Sequence, residues 1–489
     1  MIYSFHHYNY WVKGGVETGL AYRAKIFRNL GLDAKFVFAT TFQENNIWNE
    51  TQALGFKDSE VIWMYDFFSD CGPSVVTYTL EQLENTFSGE NYVFSRDRDT
   101  VKYQFPDLNI YYIAYMMDEK SNLVHRTAMI SNGYMVRKDY YTYCRIYSEY
   151  YMPVDKQAHL YLRRFFNKDG SVSYEEIIDG DIILYKFSDR MIYSREELVG
   201  YMMSGLHLTE KDVVLIDGEW GFIDREAFLQ NASPAKTGVI IHTDHFVYSD
   251  DEHVLWYHWF EYIFSHPEKV DFFVTNTEAQ SSLLREQFRR YKGVNVKVEA
   301  IPVACLDEIH VPKKNRKRHS LITAGRLHSD KHTDMIIEAT VMAQKEITDL
   351  TLDIYGEGAR EGELQTLIDE LNCGNYIHIC GFQRLDDIYQ NYEAYISASY
   401  GETFGITLLE AVGSGLSIVG FDIPYGIQVF VDEGKNGFIT THLSAEALSE
   451  CIIRLFTQAD MDEFQKHSYE KARLYLTAEV EKKWKEILL

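Results

Sequence analysis

Gly401-Glu402-Thr403-Phe404-Gly405-Ile406-Thr407-Leu408-Leu409-Glu410-Ala411-Val412-Gly413-Ser414-Gly415 places two carboxylates, Glu402 and Glu410, eight positions apart around a glycine turn that opens into a helix. The predicted helix covers Thr407–Gly413, so the backbone N–H groups around Phe404, Gly405, Ile406 and Thr407 stand at its start. Unpaired amides and the helix dipole at such an end favour the negative charge of a diphosphate. Glu402, on the turn, suits hydrogen bonds from sugar hydroxyls, and Glu410, one helical turn inside, suits those from a ribose. The arrangement is that of a nucleotide-sugar site.

Working outward, strands are predicted at Ser320–Ala324, Thr351–Tyr355, Tyr376–Ile379, Ala394–Ser397 and Ser417–Val419. They alternate with helices at Thr333–Lys345, Glu361–Leu371, Leu385–Tyr392 and Thr407–Gly413, which predicts an α/β fold with a doubly wound parallel sheet. In such sheets ligands lie outside the carboxyl ends of the strands, where the Glu402 turn falls. The basic run Val311–Arg318 reads as a linker with solvated charge, and Ala478–Leu489 as a closing helix.

The N-terminal part has a similar rhythm. A strand from Ile2, the turn Gly14-Gly15, a helix over Thr18–Leu30 and a strand over Ala34–Ala39 form an opening α/β unit. The rhythm returns with strands at Val213–Ile216, Val239–His242, Phe272–Val274 and Val296–Ile301 and a helix at Glu278–Tyr291. Ser194-Arg195-Glu196-Glu197 opens that return as a capping box. Between them, Val101–Phe105, Ile110–Met117, Leu123–Ile130, His159–Phe166, Val172–Ile178 and Ile182–Phe187 alternate aromatic and polar residues, and Asn167-Lys168-Asp169-Gly170 marks a hairpin. This predicts an antiparallel meander inserted in the first α/β domain. The predicted domains are residues 1–42 with 195–308, the insertion 43–194, a C-terminal domain 309–475 and a helix 476–489. Two such α/β domains are expected to face each other across a cleft.

A length of 489 residues exceeds one ordinary core, and a hydrophobic content of 46% is ample for several. The formal charge of −25 argues against nucleic acid or an anionic membrane surface as the main ligand. Six cysteines are scattered without a C-x-x-C or zinc spacing, which fits reduced thiols in a cytoplasmic protein and no bound metal. The start Met1–Tyr8 lacks the pattern of an export signal, and no window is long and apolar enough to span a membrane. Peripheral contact with a membrane stays open.

Arg326 and Lys331 follow the first strand of the C-terminal domain. Two cations at a strand's carboxyl end, in the same domain as Glu402, suit a diphosphate leaving group without a metal. The set Gly14-Gly15, Arg326, Lys331 and the Glu402/Glu410 spacing resembles retaining glycosyltransferases of the GT-B fold, family 4. Gly15-Val16-Glu17 with Ala21–Ala24, Arg137–Tyr140, Ser148–Tyr150 and Gly420–Gly426 are similar to the GtfA-type catalytic subunits of bacterial peptide N-acetylglucosaminyltransferases, over almost the whole chain.

That resemblance implies transfer of N-acetylglucosamine from UDP-GlcNAc to Ser or Thr of an unfolded serine-rich repeat adhesin before accessory-Sec export, with retention and without a metal or cofactor. It assigns Arg326 and Lys331 to the diphosphate, Glu402 to the donor sugar and Glu410 to the ribose. Gly14, Gly15 and Val16 approach the phosphates or the acceptor end, and His242 touches the transferred sugar, with Asp244 and His245 beside it. It further implies a GtfB-type partner subunit, for which the meander is the expected contact. Lys13-Gly14-Gly15 stands where some relatives have Ser-Ser-Gly, and Ile427 where some have Asn, which leaves UDP-glucose open as donor. A non-catalytic partner subunit and a wall teichoic acid glycosyltransferase are the other readings. The retained site argues against the first and the acidic charge against the second.

Overall fold

The computed structural model describes residues 1–7, 14–40, 47–218 and 224–489. The chain forms two compact units. One comprises Met1–Lys13, Leu32–Ile240 and Trp256–Phe272, the other Gly14–Gly31, Ile241–Leu255 and Phe273–Leu489.

In the first unit, Ile2–His6 pairs in parallel with Val213–Gly218 on one side and Ala34–Phe38 on the other, and Ala34–Phe38 pairs with Val61–Trp63. These strands are apolar on both faces, as a parallel sheet covered by helices requires, and Phe5, Val37, Leu215 and Ile216 are fully buried. The unit also holds a ten-stranded antiparallel sheet in simple chain order from Val93–Asp97 to Met191–Ile192. The predicted hairpin is there: Asn167 N–H donates to the Ser171 carbonyl at 2.9 Å, with Gly170 at φ +82°.

Four strands of this sheet escaped prediction: Val93–Asp97, Tyr134–Tyr141, Arg145–Val154 and Met191–Ile192. The two long ones break the expected alternation because charges occupy their inward positions. Asp139 accepts from Ser148 Oγ at 2.5 Å and Arg137 Nε at 3.0 Å. Arg163 donates to Glu149 at 3.0 Å and Glu176 at 2.7 Å, and all three residues are buried. Tyr140 and Tyr151 add hydroxyl donors to Glu149 at 2.9 and 2.6 Å. A paired, hydrogen-bonded charge ladder can be buried where a lone charge cannot.

The second unit is built on a six-stranded parallel sheet in the spatial order Ile377–Ile379, Thr351–Tyr355, Ser320–Ala324, Ala394–Ser397, Ser417–Phe421, Gly437–Thr440. Numbered along the chain this is 3-2-1-4-5-6, the doubly wound order, with its reversal between Ser320–Ala324 and Ala394–Ser397. Ile322, Ile354, Ile396 and Ile418 from the strands pack with Leu408, Val412 and Phe430 from the helices. The stretch Leu385–Tyr392 is not the predicted helix. Ile388 N–H bonds back only three residues, to the Leu385 carbonyl, and a short 3₁₀ turn over Tyr389–Asn391 follows. The linker's charge is not wholly solvated either: Arg316 is half-buried and donates to the Tyr392 and Ser414 carbonyls, each at 2.6 Å.

Candidate functional site

The sheet reversal brings two loops to the same end of the sheet. After Ser320–Ala324 the chain passes Arg326 into a 3₁₀ turn, Ser329–Lys331, which leads to the helix Thr333–Ala343. After Ala394–Ser397 it passes Tyr400 and Glu402 into the helix Ile406–Gly413. Lys331 Nζ lies 2.9 Å from Glu402 Oε2, with both side chains about a quarter exposed (23% and 26%). The His332 and Tyr400 rings stack at 3.8 Å, a second tie between the loops. Arg326 is half-exposed, with Asp330 at 4.0 Å, and makes no direct contact with Glu402. A cation near a helix start is unfavourable by itself, so the Glu402 carboxylate supplies the reason for Lys331's position.

The Glu402 loop is shaped by close backbone approach. The Glu402 carbonyl accepts from Tyr425 N–H at 3.1 Å and Gly426 N–H at 2.7 Å, and a Cβ on Gly426 would stand 2.4 Å from the Phe404 carbonyl oxygen. Gly405, at φ +88°, turns the chain into the helix, a conformation that glycine adopts without steric cost. The Phe404 ring is buried against Phe430 and Tyr475, so only its backbone remains for a ligand. The first-turn amides of the helix have no carbonyl four residues back within it, the geometry of an anion site. Thr407 Oγ1 lies 2.9 Å from the Tyr395 hydroxyl, which also donates to the Ala324 carbonyl.

Glu410 sits one turn inside. Burial pushes its carboxyl up to about 7, a hydrogen bond donated by the Tyr389 hydroxyl at 3.1 Å opposes the rise, and the charge of Asp386 adds to it. Tyr22, from the helix Gly15–Asn29, faces the same carboxylate: burial raises its hydroxyl first and the charge of Glu410 next. Tyr389 and Tyr22 were missed in the sequence. The signal at Tyr389 was no more than a tyrosine beside Asp386-Asp387, in a stretch read as helix.

Gly14, Gly15 and Val16 open that same helix. The Gly14 N–H is already taken by Glu17 Oε2 at 2.9 Å, which leaves Gly15 and Val16 as the amides open to a ligand. A Cβ on Gly15 would lie 3.6 Å from Ile406 Cδ1, so the two helix N-termini adjoin. His242 is buried, and its carbonyl accepts from Thr403 Oγ1 at 2.7 Å, which joins its segment to the Glu402 loop. Asp244 follows: burial raises its carboxyl and the charge of Glu402 raises it further. His245 is fixed on Gln287 at 2.8 Å and is lowered to about 4 by burial. Lys331 thus meets Glu402, the His242 carbonyl meets Thr403 of the same loop, Arg326 stands by Asp330, and Glu410 lies deeper. Among the described residues no group of three or more His, Cys, Asp or Glu side chains is arranged to hold a metal ion, and no helix is long and apolar enough to cross a membrane.

Comparison with known proteins places the chain by family and fold. Residues 93–189, nearly the whole antiparallel sheet, match the GtfA extended beta-sheet domain, and residues 307–474 match glycosyl transferases group 1. The UDP-N-acetylglucosamine–peptide N-acetylglucosaminyltransferase GtfA subunit of Streptococcus parasanguinis is 40% identical over 489 residues, 98% of this chain and 97% of that protein. The chain belongs to the GtfA subunit family. Two solved structures of GtfA proteins share its fold. The pneumococcal O-GlcNAc transferase GtfA in complex with UDP and GlcNAc superposes with a TM-score of 0.93 at 34% identity, over 100% of this chain and 98% of that one. A GtfA/B complex gives 0.93 at 39% identity with the same coverage. The GT-B architecture of the GtfA family accounts for the two parallel sheets, and its extended sheet domain for the antiparallel one.

Proposed function

We propose that this chain transfers N-acetylglucosamine from UDP-GlcNAc to Ser or Thr hydroxyls of an unfolded, serine-rich polypeptide, with retention at the anomeric carbon. The observation that carries the reading is the delivery of Lys331 and Glu402, in contact, to the carboxyl ends of the two strands that flank the sheet reversal, with Arg326 alongside. Nucleotide ligands of doubly wound sheets lie at that point.

In the proposed reaction the anomeric C–O bond to the β-phosphate breaks while the acceptor oxygen bonds to the same face of the sugar. The departing phosphate oxygen takes the acceptor's proton. Charge stabilisation then dominates the barrier. Arg326, Lys331 and the amides at the starts of Gly15–Asn29 and Ile406–Gly413 meet the developing diphosphate charge. Lysine has three donors, so Lys331 keeps Glu402 while it takes a phosphate oxygen. Glu402 and His242 orient the sugar, and Glu410 accepts from the ribose hydroxyls. With two cations and two helix ends on the diphosphate, the reading needs no metal or cofactor, and activity is expected to persist in a chelator.

The acceptor is assigned to a serine-rich adhesin glycosylated in the cytoplasm before export, and the partner to a GtfB-type subunit docking on the antiparallel sheet. The edge strand Val93–Asp97 is exposed along its length and supports that choice of face. The four-part domain division at 1–42 with 195–308, 43–194, 309–475 and 476–489 remains part of the same proposal.

The test incubates the purified chain, alone and with a B-type subunit, with a panel of UDP-sugars and a serine-rich repeat peptide. An increment of one N-acetylhexosamine per modified site, with release of UDP, is expected. A hexose increment would reassign the donor to UDP-glucose. No increment with any donor, partner present, would reject the reading.

A further inference from the structure

Two of the six cysteines meet. Cys71 and Cys144 are 73 positions apart in the chain, yet their sulfurs lie 3.9 Å from each other. Both belong to the first unit: Cys71 lies in the segment after Val61–Trp63, and Cys144 in the turn between Tyr134–Tyr141 and Arg145–Val154. Neighbouring contacts hold the Cys71 segment in place. Asp70 accepts from Lys168 N–H at 2.7 Å and donates its own N–H to Asn167 Oδ1 at 3.3 Å. Cys71 N–H bonds Ser69 Oγ at 3.2 Å, and its sulfur lies 3.5 Å from the Phe166 carbonyl. A disulfide needs a sulfur separation of about 2.05 Å, so about 2 Å of approach completes the bond.

The geometry points to a reversible redox pair, in which a peroxide oxidises Cys71 and Cys144 to a disulfide that ties the segment after Val61–Trp63 to the Tyr134–Val154 hairpin. The surroundings set the order of events. A hydrogen bond from the Cys144 thiol draws Cys71 below its ordinary value, with the Tyr143 hydroxyl and Ser69 helping, while burial and Asp70 oppose. Cys144 is raised, Lys168 being the one cation that counters the rise. Burial raises Cys305, Cys373, Cys380 and Cys451. The thiolate, which is the reactive form, therefore concentrates at Cys71. Cys71 is 7% exposed and stands between the exposed Asp70 and Gly72, so the segment that carries it lies at the surface.

The Cys71 thiolate attacks one peroxide oxygen, the O–O bond breaks, and hydroxide leaves as water once protonated. Cys71 is then a sulfenic acid. The Cys144 sulfur attacks the Cys71 sulfur, the S–O bond breaks, and the leaving hydroxide departs as water with the Cys144 proton. Two thiols and one peroxide give one disulfide and two waters, and a dithiol reverses the change.

The test exposes the full chain to hydrogen peroxide, blocks remaining thiols with N-ethylmaleimide and maps peptides without reduction. A Cys71–Cys144 cross-linked peptide is expected, lost on dithiothreitol treatment, forming on the order of tenfold faster than oxidation at any of the other four cysteines. In Cys144→Ser, dimedone is expected to trap a sulfenic acid at Cys71. Complete labelling of both residues by N-ethylmaleimide after peroxide treatment, or oxidation spread evenly over all six cysteines, would overturn the assignment.

Discussion

Lys331 Nζ rests 2.9 Å from Glu402 Oε2, so the cation assigned to the diphosphate and the carboxylate assigned to the sugar hold each other in place. Lys331→Ala frees Glu402 and, in the proposed site, removes a phosphate contact as well. A fall in kcat of about 10²–10³-fold is expected, measured as UDP release with peptide acceptor. Glu402→Gln keeps the shape and weakens the tie. It should lower kcat by about tenfold, with less effect on the KM for donor.

With Glu410 on the ribose, as proposed, donor binding is expected to depend on pH. Its carboxyl is raised to about 7 in the free protein, whereas a ribose diol binds the carboxylate form. The KM for UDP-GlcNAc should therefore fall as pH rises through about 7 and level off above it. The folding sign is opposite. Between the ordinary carboxylate value and about 7 the native state holds the extra proton, so this group's contribution to stability declines as pH rises through that window. Glu410→Gln is expected to raise KM and flatten its pH profile.

Tyr389 acts through Glu410. Its hydroxyl is the donor that holds Oε2, and this hydrogen bond opposes the rise caused by burial. Removing it in Tyr389→Phe should cost about 1 kcal/mol of donor binding, a rise in KM of about fivefold. The expected kcat is unchanged, and the apparent pKa of the KM profile should move upward. A purely structural loss would leave the pKa in place.

In the antiparallel sheet, Arg163 joins Glu149 and Glu176 within the core. Arg163→Ala leaves two buried carboxylates without their cation, and about 3–5 kcal/mol of stability should be lost, measured by urea denaturation. Simultaneous replacement of all three by apolar residues is expected to recover much of it.

Most of the second unit's parallel sheet was legible because its strands are buried on both faces: Ser320–Ala324, Thr351–Tyr355 and Ala394–Ser397 were read to the residue, whereas the half-buried edge strand Gly437–Thr440 was not read. Helix ends erred by one to four positions: Ile406 was read as Thr407, Gly15 as Thr18 and Gln287 as Tyr291. The antiparallel sheet was read as a meander, yet its Tyr134–Tyr141 and Arg145–Val154 strands were missed, because alternation of apolar residues is silent where the inward positions are Asp139 and Glu149. Arg326, Lys331, Glu402 and Glu410 were named from their spacing and family pattern, and of these the structure joins Lys331 to Glu402 directly. Tyr389 and Tyr22 became visible only in three dimensions, because neither lies near Glu410 in the chain.

The most direct measurement is a calorimetric titration of UDP and of uridine into the chain and its Arg326→Ala and Lys331→Ala variants. The account predicts UDP binding weakened by about 10–100-fold in each variant and uridine binding unchanged, because both cations act on the phosphates. Equal UDP affinity in all three proteins would contradict it.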